Sequence, residues 1–292
     1  MKIMITGGSG FLGSALAHHF SDRGDSVFLL LRLNSELHRL RGYESKLHVE
    51  RYLTDNDIKS IVIRVQPDII IHTACSYGRN GETTLNIVDA NIRLGLAVIE
   101  SLLDVKHSVT FINTGTILDP EISAYALSKH QFSDWGRLIA LQSGGHLRFI
   151  NVLLQHMYGP GDDTFKFPTY VLYTCWQNKA DLNLTPGDQK RDFIYLDDVV
   201  NAYDTLVNRY NELDLVHDIE VGSGEAPTVR NFVEAAHRLT GSSTNLRFGV
   251  LPYRENEPMH CKADISVMKS LGWKPLYSLE NGIKETIKIE FH

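Results

Sequence analysis

Thr6-Gly7-Gly8-Ser9-Gly10-Phe11-Leu12-Gly13 decides the fold of this 292-residue chain. The glycines at 7, 10 and 13 follow an apolar segment, Lys2–Thr6, that reads as a buried strand. They open an amphipathic stretch, Phe11–Asp22, that reads as a helix. Each glycine answers a steric demand. Gly7 permits the tight turn, Gly10 lets backbone approach a pyrophosphate, and Gly13 lets the helix pack close to the strand. Free N–H groups at the helix start then face the anion. Glycine-rich turns are common, so a triplet alone says little. Placed between the first strand and the first helix, it marks a dinucleotide-binding unit.

The pattern repeats outward from that loop. Ser26–Leu31, Ile69–His72, Val109–Asn113 and Leu147–Leu153 read as further buried strands. Asp57–Val65, Thr84–Leu103 and Ala124–Gln142 read as the helices between them. Strand–helix alternation of this kind predicts an α/β fold, a doubly wound parallel sheet of the Rossmann type, with its binding crevice beyond the carboxyl ends of the strands. After Leu153 the rhythm loosens at the turn cluster Tyr158-Gly159-Pro160-Gly161-Asp162-Asp163. A helix over Pro168–Asn178, a strand over His217–Val221 and helices near Thr228–Leu239 and Ile265–Leu271 follow. The expected division is a cofactor-binding domain over 1–157, with 192–222 returning to it. A smaller C-terminal substrate-binding region takes 158–191 and 223–292.

Composition narrows the function. The hydrophobic fraction of 43% and charged fraction of 22% are ordinary for a globular chain. A net charge of −6 argues against nucleic-acid binding, which needs a basic field. The three cysteines, Cys75, Cys175 and Cys261, form no CxxC pair, so neither a metal site nor a disulfide framework is expected. No signal peptide and no apolar run near 18 residues is visible, so a cytoplasmic protein with no membrane partner is expected.

Carrying this glycine spacing and the later motifs, the chain resembles the extended short-chain dehydrogenase/reductases nearly end to end. The loop residues Gly7, Gly10, Phe11, Leu12 and Gly13 are then cofactor-binding. NAD-selective relatives place an acidic residue after the second strand, on the ribose hydroxyls. Here Arg32 follows Val27–Leu31. A guanidinium suits a 2′-phosphate, so NADP(H) is the expected cofactor, with Asn34 and Ser35 as helpers. The resemblance also puts Leu53 near the adenine and Ala74, in His72-Thr73-Ala74-Cys75, along the cofactor. His72 itself reads as structural.

Tyr125-Ala126-Leu127-Ser128-Lys129 places a phenol and an ammonium on one helix face. A nearby cation favours phenolate and fits Tyr125 for proton exchange with a carbonyl or alcohol oxygen. Tyr-x-x-x-Lys alone is more often a packed tyrosine and a surface lysine. Its weight comes from Asn113-Thr114-Gly115-Thr116, at a strand end eleven residues upstream. The resemblance implies a catalytic set of Thr114, Tyr125 and Lys129. Thr116 is kept as the other hydroxyl and as a substrate contact, and Lys129 also binds the nicotinamide ribose. Asn91 resembles the asparagine that orders the catalytic lysine.

Tyr158-Gly159-Pro160-Gly161 and Gly187-Asp188-Gln189-Lys190-Arg191-Asp192-Phe193-Ile194-Tyr195-Leu196-Asp197-Asp198 resemble signatures of nucleotide-sugar enzymes. They imply that Arg191 grips a diphosphate, with Arg254 of Tyr253-Arg254-Glu255-Asn256-Glu257 as a second guanidinium. His156 contacts a phosphate or sugar oxygen, and Leu184 borders the base. Asp197 and Asp198 read as caps. Tyr77 and Arg79, in Cys75-Ser76-Tyr77-Gly78-Arg79-Asn80, are expected to line the sugar pocket.

A 4,6-dehydratase needs an Asp-Glu pair after the catalytic threonine, where Gly115-Thr116 stand. The 75–80 and 156–163 strings look like the small reductases that make CDP-abequose or CDP-paratose. The expected activity is therefore NADPH-dependent reduction of the C4 ketone of a nucleoside-diphosphate-linked 4-keto-6-deoxyhexose, for deoxysugar and lipopolysaccharide O-antigen biosynthesis. An NAD-dependent nucleotide-sugar 4-epimerase and a non-catalytic NADP(H)-sensing protein are the alternatives. The resemblance implies a homodimer through helices 84–103 and 124–142.

Overall fold

The computed structural model describes residues 1–79, 81–255 and 257–291; Asn80, Asn256 and His292 lie outside the described residues. The chain forms two compact units, residues 1–154 with 203–219, and residues 155–202 with 220–292. The stretch 192–202, expected with the first unit, belongs to the second. The reason is hydrogen bonding. The Asp192 carboxylate accepts the backbone N–H groups of Ser223, Gly224 and Ala263, and the Asp198 carboxylate accepts those of Leu276 and Tyr277.

In the first unit, β1 (Lys2–Thr6), α1 (Phe11–Asp22), β2 (Ser26–Arg32), β3 (His48–Tyr52), α2 (Asp55–Val65) and β4 (Ile69–His72) come first. Next come α3 (Thr84–Val88), α4 (Leu94–Leu102), β5 (Val109–Thr114), α5 (Ala124–Gln142) and β6 (Leu147–Leu154). The second unit adds β7 (His156–Tyr158), α6 (Phe167–Trp176), β8 (Asp181–Asn183) and β9 (Phe193–Tyr195). The chain crosses the boundary within α7 (Leu196–Arg209) and again within β10 (Val216–Val221). It ends with α8 (Val229–Leu239), β11 (Asn245–Arg247), α9 (Ser266–Ser270) and α10 (Leu279–Phe291). Helices α7 and α10 add to the elements expected from sequence.

The main sheet runs β10-β6-β5-β4-β1-β2-β3. The pairings from β3 through to β6 are all parallel. A sheet covered by helices on both faces needs strands that are apolar on both, and β4, Ile-Ile-Ile-His, is buried at every residue. One cluster packs Met4, Ile70, Phe111 and Phe149 of the strands against Val62, Val98 and Phe132 of the helices. Strand order reverses between β1 and β4, and a ligand crevice lies outside the carboxyl ends at such a switch point. Thr6, Arg32, His72 and Thr114 therefore share the functional edge.

Local chemistry sets several element starts. Thr54 and Asp57 form a capping box that begins α2, and Thr228 and Asn231 form another for α8. The single helix expected over 84–103 is interrupted by a π-helical turn, Asp89–Arg93, which carries the buried Asn91. In the second unit, β7 pairs in parallel with β9 and β8 with β11. Its core joins Tyr158, Phe193, Phe232 and Ile283. Helix α10 pins the turn after β7: Tyr158 Oη donates to Leu279 O at 3.2 Å, and Glu290 accepts from Gly161 N at 2.6 Å. Among the described residues, no helix is long and apolar enough to cross a membrane.

Candidate active site

The glycine loop is as tight as its sequence requires. Gly7 has φ +68°, and a Cβ there would stand 2.6 Å from Ala74 N. A Cβ on Gly13 would stand 2.2 Å from Gly7 O. Gly10 is exposed and donates to Gly7 O at 2.9 Å. The inner side of the loop is closed by contact with the strands, and its outer side presents backbone. Such a cradle fits a dinucleotide pyrophosphate. Leu12 is buried in the core, so it can offer a ligand only its backbone N–H; Phe11 and Ala74 are half-buried. At the end of β2, Arg32 is exposed and its charge bears on Tyr52 across the register. Leu53 is exposed beyond β3.

The two threonine hydroxyls have different partners. Thr114 Oγ1 lies 2.6 Å from Tyr203 Oη, a fully buried phenol on α7. The Thr116 hydroxyl lies beside the Tyr125 phenol and favours its ionised form; its Oγ1 accepts from Leu118 N at 3.2 Å. The geometry therefore corrects the expectation that Thr114 is the hydroxyl beside Tyr125. Strand β5 ends at Thr114 with that side chain turned to α7, and the chain turns at Gly115 to present Thr116. Gly115 is tightly packed, since a Cβ there would stand 2.5 Å from Asn151 Oδ1, and the Asn151 side chain would have to shift.

The electrostatics also differ from the sequence expectation. The Tyr125 phenol is pushed up, by burial first and then by the Cys75 thiol; the Thr116 hydroxyl and the Arg79 charge oppose this only in part. Desolvation outweighs the nearby cation, because a buried phenolate lacks hydration. Lys129 is buried, and desolvation lowers its ammonium while Cys75 raises it. Its charge bears on His72, which burial holds far below the ordinary imidazole value. His72 hydrogen-bonds Thr6 Oγ1 through Nδ1 at 2.7 Å and packs against Phe111 and Phe132. It is a neutral core histidine.

Asn91 holds the segment before Tyr77. Its Oδ1 accepts from Ser76 N at 2.6 Å, and its Nδ2 donates to Ser76 O and to Ser128 Oγ, both at 2.9 Å. Ser128 sits beside Lys129, so Asn91 links the 76–79 loop to the Tyr-x-x-x-Lys helix. The Tyr77 ring lies 4.7 Å from that of Tyr125, and the Arg79 guanidinium 5.4 Å from the Tyr77 ring. Tyr77, Arg79, Thr116, Tyr125 and Lys129 thus gather in one place, with Cys75 among them.

In the second unit, Arg191 is buried and forms an ion pair with Glu257, while its Nη1 donates to Lys190 O at 2.8 Å. Burial and then the Arg191 charge push His156 down to about 4. Its Nδ1 is buried with no hydrogen-bond partner among the described residues. A half-buried imidazole beside a guanidinium, with one buried nitrogen left unpaired, suits an anionic ligand that accepts from both. Arg254 is exposed. Leu184 does not border a ligand through its side chain. It is buried in the core of this unit, and its backbone N–H and C=O pair with Arg247 and Leu251. The Leu182–Leu184 alternation is that of a short strand with an inward apolar face.

Sequence reading misses Tyr203, Cys75 as a neighbour of Tyr125 and Lys129, Glu257 as the partner of Arg191, and Arg51. Arg51 Nη1 reaches the carbonyl oxygens of Arg32 and Leu33. None of the four carries a local motif; each acquires its neighbours only through long-range packing.

With the cradle and the Thr-Tyr-Lys cluster in place, the class is defined. The chain belongs to the NAD dependent epimerase/dehydratase family, whose profile matches residues 3–222. It is 29% identical to the CDP-abequose synthase of Salmonella typhimurium over 98% of this chain and 97% of that one. It is 25% identical to the dTDP-L-rhamnose 4-epimerase of Burkholderia thailandensis over 97% of this chain and 93% of that one. The UDP-glucuronic acid 4-epimerase of Bacillus cereus, solved with UDP-glucuronic acid and NAD, matches its fold with a TM-score of 0.84 at 19% identity, covering 99% of this chain and 98% of that one.

Proposed function

We propose that this protein reduces the C4 ketone of a nucleoside-diphosphate-linked 4-keto-6-deoxyhexose with NADPH, in deoxysugar and surface-polysaccharide biosynthesis. The observation that carries this reading is end-to-end similarity to CDP-abequose synthase. The buried Thr116 hydroxyl beside the half-buried Tyr125, on the helix that carries the buried Lys129, supports it. Gly7, Gly10, Gly13 and the Leu12 N–H hold the pyrophosphate, Arg32 the 2′-phosphate, and Lys129 the nicotinamide ribose. The bound cofactor supplies hydride to the sugar C4.

The chain's own residues handle the oxygen. Burial keeps Tyr125 protonated, which is the form a reductase needs, because the phenol must give its proton to the oxygen as C4 becomes an alcohol. Thr116 donates to the same oxygen and stabilises its developing charge. The phenolate left behind is served by the buried Lys129 ammonium and by Arg79. Tyr77 walls the sugar. In the second unit, Arg191 and His156 meet the diphosphate, with Arg254 at the exposed side. Exposed Leu85, Leu127, Trp135, Leu138 and Leu141 support a homodimer through α3 to α5, which sedimentation would test.

The test is a panel of CDP-, dTDP- and GDP-4-keto-6-deoxysugars mixed with NADPH or NADH, following loss of NADPH absorbance. Turnover with one nucleotide series, abolished in Tyr125→Phe, is the expected result. A second reading, an NAD-dependent 4-epimerase, is favoured by the similarity to dTDP-L-rhamnose 4-epimerase. It is the answer if no substrate consumes NADPH and denaturation releases bound NAD.

A further inference from the structure

Arg51 lies on β3 opposite Leu31. Its guanidinium crosses to the loop that follows β2. Nη1 donates to Arg32 O at 3.1 Å, to Leu33 O at 2.5 Å and to Ser35 O at 3.4 Å, and Nη2 to Ser35 O at 3.3 Å. Ser35 N also donates to Arg32 O at 3.0 Å, closing the turn. Three carbonyl oxygens therefore converge on one cation. Without it they would form a concentrated patch of partial negative charge at the tip of the second strand.

We propose that Arg51 is a positioning residue for cofactor selection: it neutralises these carbonyls and fixes the turn, so that Arg32 meets a ribose 2′-phosphate in a field that no longer repels it. The proposal rests on the reading that Arg32 takes that phosphate, and it adds a residue outside the contact itself. The physics separates the two arginines. Both guanidinium groups are exposed, but Nη1 and Nη2 of Arg51 donate to backbone carbonyls, which leaves Arg32 as the group read as meeting the anion. A carbonyl patch penalises a ligand according to its local charge, so its release should weaken a 2′-phosphorylated cofactor and spare one with plain hydroxyls.

The experiment measures dissociation constants for NADPH and NADH by nicotinamide fluorescence in the wild type, Arg51→Ala, Arg51→Met and Arg32→Ala. Methionine keeps the packing of the stem without the donors, and it decides the matter if alanine disturbs folding. Loss of one set of charge-assisted interactions predicts an NADPH-to-NADH affinity ratio lowered about tenfold in both Arg51 variants, with NADH affinity little changed. A ratio unchanged in Arg51→Met, or equal losses for both cofactors, while Arg32→Ala collapses the ratio, overturns the role of Arg51 alone. If the wild type does not prefer NADPH, or Arg32→Ala leaves the preference intact, the cofactor reading falls and this proposal with it.

Discussion

Replacing each threonine hydroxyl in turn tests the assignment of the active-site oxygen contacts. Thr116→Val removes the hydroxyl beside the Tyr125 phenol. Loss of one preorganised donor to a developing oxyanion costs about 3 kcal/mol, or roughly a hundredfold in kcat. Thr114→Val has a different expected result. Its hydroxyl pairs at 2.6 Å with the Oη of Tyr203, a fully buried phenol. Removing one partner strands a buried phenol and costs about 1–3 kcal/mol of stability, with kcat changed only a few-fold. Adding Tyr203→Phe should then recover much of that loss, since removing both partners can be nearly neutral. The assays are NADPH consumption with a CDP-4-keto-6-deoxysugar and urea unfolding of the three variants. A hundredfold loss of kcat in Thr114→Val with near-normal turnover in Thr116→Val would refute the reasoning.

Three further outcomes follow from the geometry. Because burial raises the Tyr125 phenol above its ordinary value, kcat for reduction should hold on the alkaline side through about pH 9. A pH–rate profile with a basic limb near 7 contradicts this. Gly13→Ala forces a Cβ against Gly7 O and should cost about 1–3 kcal/mol of stability, with loss of cofactor affinity; unfolding and fluorescence titration read the two effects separately. His156, held at about 4, makes the unfolded chain the stronger proton binder between about pH 6.5 and 4. Stability therefore falls as pH drops through that window and falls no further below it on this account. His156→Gln should remove up to about 3 kcal/mol of that acid loss, measured by urea unfolding at pH 4 and pH 7.

The sequence by itself determined the parts whose chemistry is local. The Gly7–Gly13 loop is legible because a turn, a backbone approach and a helix contact each exclude a Cβ at a fixed spacing. The apolar run of β4 is legible because a doubly covered strand has no polar face. Tyr125 and Lys129 follow from helical periodicity. The tertiary structure decided what depends on neighbours distant in sequence. Thr114 and Thr116 are two residues apart at a strand end, and only the arrival of Tyr203, 89 positions later, takes one hydroxyl and leaves the other to Tyr125. Whether Tyr125 is raised or lowered depends on desolvation, which no motif encodes. Leu184 reads as a ligand contact beside its signature, but it fills the core of the second unit. Arg191 acquires Glu257, and the turn after β2 acquires Arg51, by the same cause. A side chain's partners are fixed by the packing that brings separate segments together, while its own pattern fixes only the face it presents.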